Sequence, residues 1–381
     1  MTARREKRAL LLAFGVFGVF WGAWSSLLPA IKAQAHLSDG QLGLALAAIA
    51  VAALPSMPVA GRLVDRLGAG RLVRMGLIAF GLVTVLPAVA HSGIVLVLVF
   101  VLVGLTTGFL DVVINTATAA WERVESARLM SAVHGVFSAG TLVGSVGTGF
   151  ARSAGAGPAQ VLPVVAVIVI AAGLLQPAYR RPLREDSPPA RSRLGLVLLC
   201  IGALVAASFL VEDALQSWSA LQLERGLGAP PWVSGLGPGL FAAAMTAGRF
   251  GSHLLGRGHR ETTVMRVGGV AVAAGAVLLA VAPVPVLALA GVAVAGAGTS
   301  VLAPTLFSAV GSRSQEGRQG AALGAVSTLG YIGFLVGPPV VGLVSAATSL
   351  PVALGSLGLV GLALALAGPL VLRLPVSTPP A

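Results

Sequence analysis

Hydrophobic positions dominate the chain in long unbroken runs, punctuated by short polar clusters rather than alternating with them. About 20 apolar residues at about 1.5 Å rise cross a hydrocarbon layer of about 30 Å. On that ruler the pattern predicts twelve spanning helices. In the first half they cover 10–33, 39–61, 72–91, 94–121, 129–151 and 158–178. In the second they cover 194–222, 232–256, 264–282, 285–310, 319–346 and 350–373. Pro304 and the pair Pro338–Pro339 fall inside predicted helices, which a membrane bundle tolerates when neighbours satisfy the freed backbone groups. The longest polar stretch, Arg180–Arg193, separates the sixth span from the seventh. The expected organisation is an N-terminal six-helix bundle (1–178), a cytoplasmic linker (179–193), a C-terminal six-helix bundle (194–374) and a disordered tail (375–381).

The halves resemble each other. Gly140–Gly149 and Gly333–Gly342 share five of ten residues at an offset of 193. Trp24-Ser25 reads against Trp218-Ser219 at an offset of 194, and Gly61-Arg62 against Gly248-Arg249 at an offset of 187. A duplicated apolar half is the pattern of secondary transporters, whose solute site lies between the repeats. Gly140/Gly144 and Gly333/Gly337 are expected packing surfaces, since small residues at this spacing let membrane helices approach closely.

Composition removes the water-soluble alternatives. The chain of 381 residues is 56% hydrophobic and only 10% charged, against about 25% charged in a soluble domain. Its net charge of +12 does not point to nucleic acid, because the basic residues sit in short loops between apolar runs. Twenty-two of the 25 Lys and Arg fall on one side of the predicted spans; only Lys32, Arg152 and Arg225 fall on the other. The positive-inside rule then places both termini in the cytoplasm, in a cytoplasmic (inner or plasma) membrane. The basic run Arg4–Arg8 precedes an apolar stretch too long for a signal-peptide core of about 7–15 residues, so the first span is expected to remain uncleaved. Cys200 is the sole cysteine. There is no GxxxxGK[ST] loop, no cluster of metal ligands and no catalytic constellation, so no cofactor, metal or enzymatic activity is expected.

Charges inside spans carry the functional signal, because each costs roughly 2.5–3.5 kcal/mol at mid-helix on insertion scales. Asp111, Glu212 and Asp213 lie well inside spans. Thr107, Asp111 and Asn115 recur every four residues and share one helix face; Ser208, Glu212, Gln216 and Ser219 do the same on the seventh span. A carboxyl in a water-poor cavity can take and release a proton near neutral pH. Asp111 and Glu212 are therefore the proton-coupling candidates, against the plainer reading of a hydrogen bond that braces helices. Asp213 points about 100° away from Glu212. Trp21, Trp24, Thr107, Asn115, Gln216, Trp218 and Tyr331 are candidates for the solute cavity. For Trp24 and Trp218, anchoring at the membrane interface is the alternative. No Lys or Arg is expected within the membrane, which favours a neutral or cationic solute.

The loop after the second span reads Gly61-Arg-Leu-Val-Asp65-Arg66-Leu-Gly68-Ala-Gly-Arg71. Gly61 is suited to close helix approach and Gly68 to a tight turn. This loop is similar to the signature loop of the major facilitator superfamily, although Ala69-Gly70 stands where that family often has a basic pair. The twelve spans, linker and duplicated halves also resemble that superfamily along essentially the whole chain. The resemblance implies an all-α fold of two pseudo-symmetric six-helix bundles. It also implies a conformational gate of Gly61, Asp65, Arg66, Gly68 and Arg71. Glu122 and Arg128 lie at the cytoplasmic mouth, placed for gate salt bridges with this loop or with its repeat copy at Arg249; a solvated face, and for Arg249 an anchor at the lipid headgroups, are the alternatives. Gly108–Asn115 and Glu212–Trp218 resemble a fucose-permease-like branch, with Asp213 in place of a glycine and Ser217 in place of an aspartate. The fifth span partly resembles the glycine-rich helix of drug exporters, with Ser145 where that motif has proline.

The sequence thus predicts a monomeric secondary active transporter for a small neutral or cationic organic solute, coupled to protons and working by alternating access in the lipid bilayer. A drug/proton antiporter of the efflux type is the alternative, followed by a multi-pass membrane protein that is not a transporter.

Overall fold

The computed structural model describes residues 3–177, 195–254, 260–313 and 319–374. The expected linker and tail and the side chain of Asp65 lie outside the described residues. Twelve helices of 16 residues or more occur among those described, and no strand. They are α1 (Ala3–Gln34), α2 (Asp39–Leu67), α3 (Ala69–Thr84), α4 (Gly93–Glu125), α5 (Met130–Ser153) and α6 (Pro158–Leu175), followed by α7 (Leu196–Leu221), α8 (Leu236–Leu254), α9 (Glu261–Val281), α10 (Pro285–Arg313), α11 (Gln319–Ala347) and α12 (Leu350–Val371). Ten are long and apolar enough on their own to cross a membrane. The exceptions, α5 and α8, are diluted by Gly, Ser and Thr and, in α8, by Arg249. Their glycine contacts seat both among the other helices.

Boundaries moved for identifiable reasons. α1 starts at Ala3 rather than near residue 10, because its basic first turns are still good helix formers. The Trp121 indole on α4, only 5% exposed, donates to the Ala3 carbonyl (3.2 Å) and holds that end. α3 stops at Thr84 rather than near residue 91 and gives way to a 3-10 turn, Leu86–Val89. There the Gln34 amide donates to the carbonyls of Pro87, Ala88 and Ala90 at 3.0–3.2 Å. Ser38 and Gln41 form a reciprocal cap at the start of α2, while Lys32 pairs with Asp39 at 3.1 Å across the preceding loop. Ile94, Leu98, Val164, Val167, Leu362 and Leu366 are exposed, an outer surface that suits lipid rather than water.

The chain divides into two compact units. The first runs through α6 and also takes in Ala229–Gly239; the second holds the remainder. Sequence pattern had assigned Ala229–Gly239 to the second half. Within the first unit this segment is held by α5: the Ser145 hydroxyl donates to the Gly235 carbonyl (2.6 Å), the Trp232 amide donates to Ser153 Oγ (2.9 Å), and the Trp232 ring stacks on Phe150.

Each unit is built on helix pairs that meet at glycine. In the first, a methyl group added at Gly18 or Gly22 would lie 2.0 Å from the carbonyl oxygen of Phe137 or Thr141. One added at Gly140 or Gly144 would lie 2.2 or 2.1 Å from that of Gly15 or Val19. In the second, Gly333 and Gly337 approach the Ala206 and Leu210 carbonyls at 2.0 and 2.7 Å by the same measure. The packing role expected for Gly140/Gly144 and Gly333/Gly337 is therefore observed.

These contacts fix the true register of the duplication. Gly15 and Val19 on α1 correspond to Ala206 and Leu210 on α7, an offset of 191. Gly104 meets the Ile49 carbonyl, and Gly296 meets the Phe241 carbonyl, an offset of 192 for α2–α4 against α8–α10. Two matches read from sequence are thus out of register. Trp24 corresponds to Leu215 rather than Trp218. Arg249 corresponds to Met57 rather than Arg62.

Candidate functional site

In the first unit, the face expected on α4 is present. The Asn115 amide donates to the Asp111 backbone carbonyl (2.9 Å) and to its carboxylate (3.1 Å). Thr107, one turn earlier, has a buried hydroxyl with no protein hydrogen-bond partner. Asp111 and Asn115 are both half-buried. α4 reaches this arrangement by lying against α2, where a methyl group at Gly108 would be 2.6 Å from the Ala53 carbonyl.

α7 carries a parallel arrangement in the second unit. Glu212 lies midway along α7 and faces Arg249 of α8, with 4.0 Å between Oε1 and the guanidinium. Ser208, one turn before Glu212, again has a buried hydroxyl without a protein partner. Gln216, one turn after it, is half-buried. Asp213 diverges from Glu212 as helical geometry requires and hydrogen-bonds with Ser217. The two positions that depart from the fucose-permease-like pattern are thus each other's partners.

Arg249 contradicts two expectations. It was assigned to the cytoplasmic gate as the copy of Arg62, yet the structural register sets it opposite Met57, more than a turn away from the loop position. The membrane interior was also expected to hold no Arg, yet Arg249 pairs with the mid-helix Glu212. The cause of both errors is the same: Gly-Arg occurs in each half, but at non-equivalent depths.

The tryptophans divide. Trp24 is 1% exposed, packed on Phe20 and Phe100. Trp218 is 0% exposed, its indole nitrogen without a protein partner. Neither presents an open ring face to a solute, and neither sits at an exposed interface. Trp21 is half-buried, edge-on to Phe17, Phe20 and Trp24.

Tyr331 belongs to a group that sequence reading missed. Phe209 stacks on Phe334 (4.5 Å between ring centres) and approaches Phe307 (6.4 Å), and Tyr331 lies 6.0 Å from Phe334. All four rings are half-buried. Phe209 precedes Glu212 by three positions and so shares its side of α7. The available signal was the scarcity of aromatics, 5% of the chain, which makes four on facing helices of one unit notable.

The gate candidates behave unequally. Gly68 has φ of 82° and turns the chain from α2 directly into α3, as its place in the loop predicted. At Gly61 no described atom lies within 4 Å of an added methyl group, so the close helix approach expected there is not made. Arg66, Arg71 and Arg128 are exposed. Glu122 does not serve as a gate ion pair through its Oε1. That oxygen accepts the backbone N–H groups of Leu129 and Met130 (2.7 Å for Met130) and caps the start of α5, where the helix dipole favours an anion. Among the described residues no group of three or more His, Cys, Asp or Glu is placed to hold a metal ion.

Comparison with known proteins agrees with this architecture. The chain is 29% identical to an uncharacterized MFS-type transporter of Yersinia pestis over 95% of its own length and 94% of the relative's. The solved structure of the nucleoside transporter NupG is similar in fold, with a TM-score of 0.74, 12% identity, and 97% and 99% of the two chains covered. A D-xylose-proton symporter gives a TM-score of 0.70 at 13% identity, over 96% and 97% of the two chains. The family model for the Major Facilitator Superfamily matches residues 9–292 and 251–381. This chain therefore belongs to the Major Facilitator Superfamily, as a multi-pass membrane transporter and not an enzyme.

Proposed function

We propose that the chain is a monomeric secondary active transporter that moves a small neutral or cationic organic solute across the cytoplasmic membrane. Its halves alternate in exposing the solute, and its termini face the cytoplasm. Proton movement through Asp111 or Glu212 drives the cycle. The observation that carries this reading is the placement of both acids midway along membrane helices, each followed one turn later by an amide and preceded by an unpartnered hydroxyl. Such groups are expensive in lipid and persist where they serve a pathway. Arg249 offsets one negative charge in the second unit and Asp213 remains, so a neutral or cationic solute still fits. Proton-coupled symport by a structural neighbour, the xylose symporter, supports the plausibility of coupling on this fold. Efflux of an aromatic solute in exchange for protons is the second reading, favoured by the half-buried ring cluster around Phe209.

Vesicles containing only this protein test the proposal. Radiolabelled sugars, nucleosides and organic cations are offered under an imposed pH gradient. Uphill accumulation of one class, abolished by a protonophore, is the expected result. Gradient-independent equilibration of every class would overturn it.

A further inference from the structure

Glu212 is the more enclosed member of its ion pair. Its side chain is 19% exposed and that of Arg249 is 41% exposed. The 4.0 Å separation is well beyond the roughly 2.7–2.9 Å of a charge-assisted hydrogen bond. The carboxylate is therefore the more enclosed partner, and the longer arginine side chain the more exposed one. An ionised mid-helix carboxylate left without a counter-charge is costly in this environment, so while Glu212 stays ionised, whatever replaces Arg249 must itself be cationic. Three positions before Glu212, Phe209 begins the cluster with Phe307, Phe334 and Tyr331. Aromatic faces attract cations, and more so when the cation is partly desolvated. A carboxylate about one helical turn from half-buried rings combines the two kinds of group that hold an organic cation.

We propose that Arg249 is a tethered stand-in for the solute: it occupies Glu212 in the empty transporter and yields the carboxylate to the cationic group of an aromatic or lipophilic solute. This narrows the neutral-or-cationic reading above to cations and rests on that reading. The structural register supports it independently. In the first unit the equivalents of Glu212 and Arg249 are Trp21 and Met57, an uncharged pair, so the charges are not required by the packing of the duplicated fold.

Equilibrium binding of tetraphenylphosphonium to the purified full-length protein in detergent tests the proposal, with tetraphenylborate as the anionic control. Arg249→Met removes the competitor and installs the residue of the equivalent first-half position. It is expected to tighten tetraphenylphosphonium binding by at least about tenfold, which is about 1.4 kcal/mol. Arg249→Lys keeps the competing charge and stays near wild type. Glu212→Gln abolishes the gain in the double variant, whose restored neutrality also guards against misfolding of Arg249→Met alone. Unchanged or weaker cation binding in Arg249→Met, an equal gain for tetraphenylborate, or no binding of tetraphenylphosphonium to any variant would overturn the proposal. No gradient enters the measurement, so a failure of proton coupling leaves its outcome intact.

Discussion

In the first unit α1 meets α5 through glycine on both helices, with Gly18 and Gly22 facing Phe137 and Thr141 while Gly140 and Gly144 face Gly15 and Val19. In the second unit α11 keeps Gly333 and Gly337, while the glycine that α7 sets against α11, Gly202, lies elsewhere along the helix. At the positions equivalent to Gly18 and Gly22, α7 carries Phe209 and Asp213, next to Glu212. The scaffold contact was retained on one helix and the other was released to bear rings and charge. A similar exchange occurs at α2–α4 and α8–α10. Ser56 faces Gly108 in the first unit, and Gly248 faces Ser300 in the second, with serine and glycine having traded helices at an offset of 192. Duplication fixed where backbones touch, and each half then spent its remaining side chains differently.

The largest effect should come from erasing the first-half contact. Gly22→Leu drives its side chain into the Thr141 backbone and is expected to cost more than about 3 kcal/mol, beyond ordinary overpacking. Thermal unfolding in detergent should show a large loss or no monodisperse protein at all. Asp213→Leu, at the equivalent place on α7, should cost only about 1 kcal/mol. Equal losses at the two positions would break the proposed register.

A smaller effect is expected from the serine–glycine exchange. Gly248→Ser sets two hydroxymethyl groups against each other, with an expected cost of about 1–3 kcal/mol. Adding Ser300→Gly reproduces the first-unit arrangement and should recover most of it, so melting temperatures across the cycle should be strongly non-additive. Additive losses would place the two residues out of contact.

The smallest effect concerns the cap on α5. Glu122→Ala should destabilise by about 1 kcal/mol. Glu122→Gln, which keeps an acceptor oxygen, should lose less. If instead Glu122 works through an ion pair, Gln and Ala would be equally damaging.

Hydropathy made the fold legible, because a helix that crosses lipid must announce itself in about 20 apolar residues. The shared face of Asp111 and Asn115 was legible too, since residues four apart lie together on a helix; that the two bond within the helix was not. Arg249 was set in the wrong register because a dipeptide match is shorter than the register error it conceals; contacts in space at Gly104 and Gly296, and at Gly108 and Gly248, reveal the offset. The cap made by Glu122 was not legible because capping depends on how the chain turns between α4 and α5, which charge pattern does not encode. Phe209, Phe307 and Phe334 left only the trace of being scarce aromatics, because rings from three helices converge only in space.

Proton-driven flux in vesicles carrying the double variant Asp111→Asn/Glu212→Gln, beside wild type, tests the central claim most directly. Wild-type protein should concentrate its solute against the gradient, while the double variant should carry the same solute only to equilibrium, or not at all. Undiminished uphill transport with both carboxylates neutralised would contradict the account.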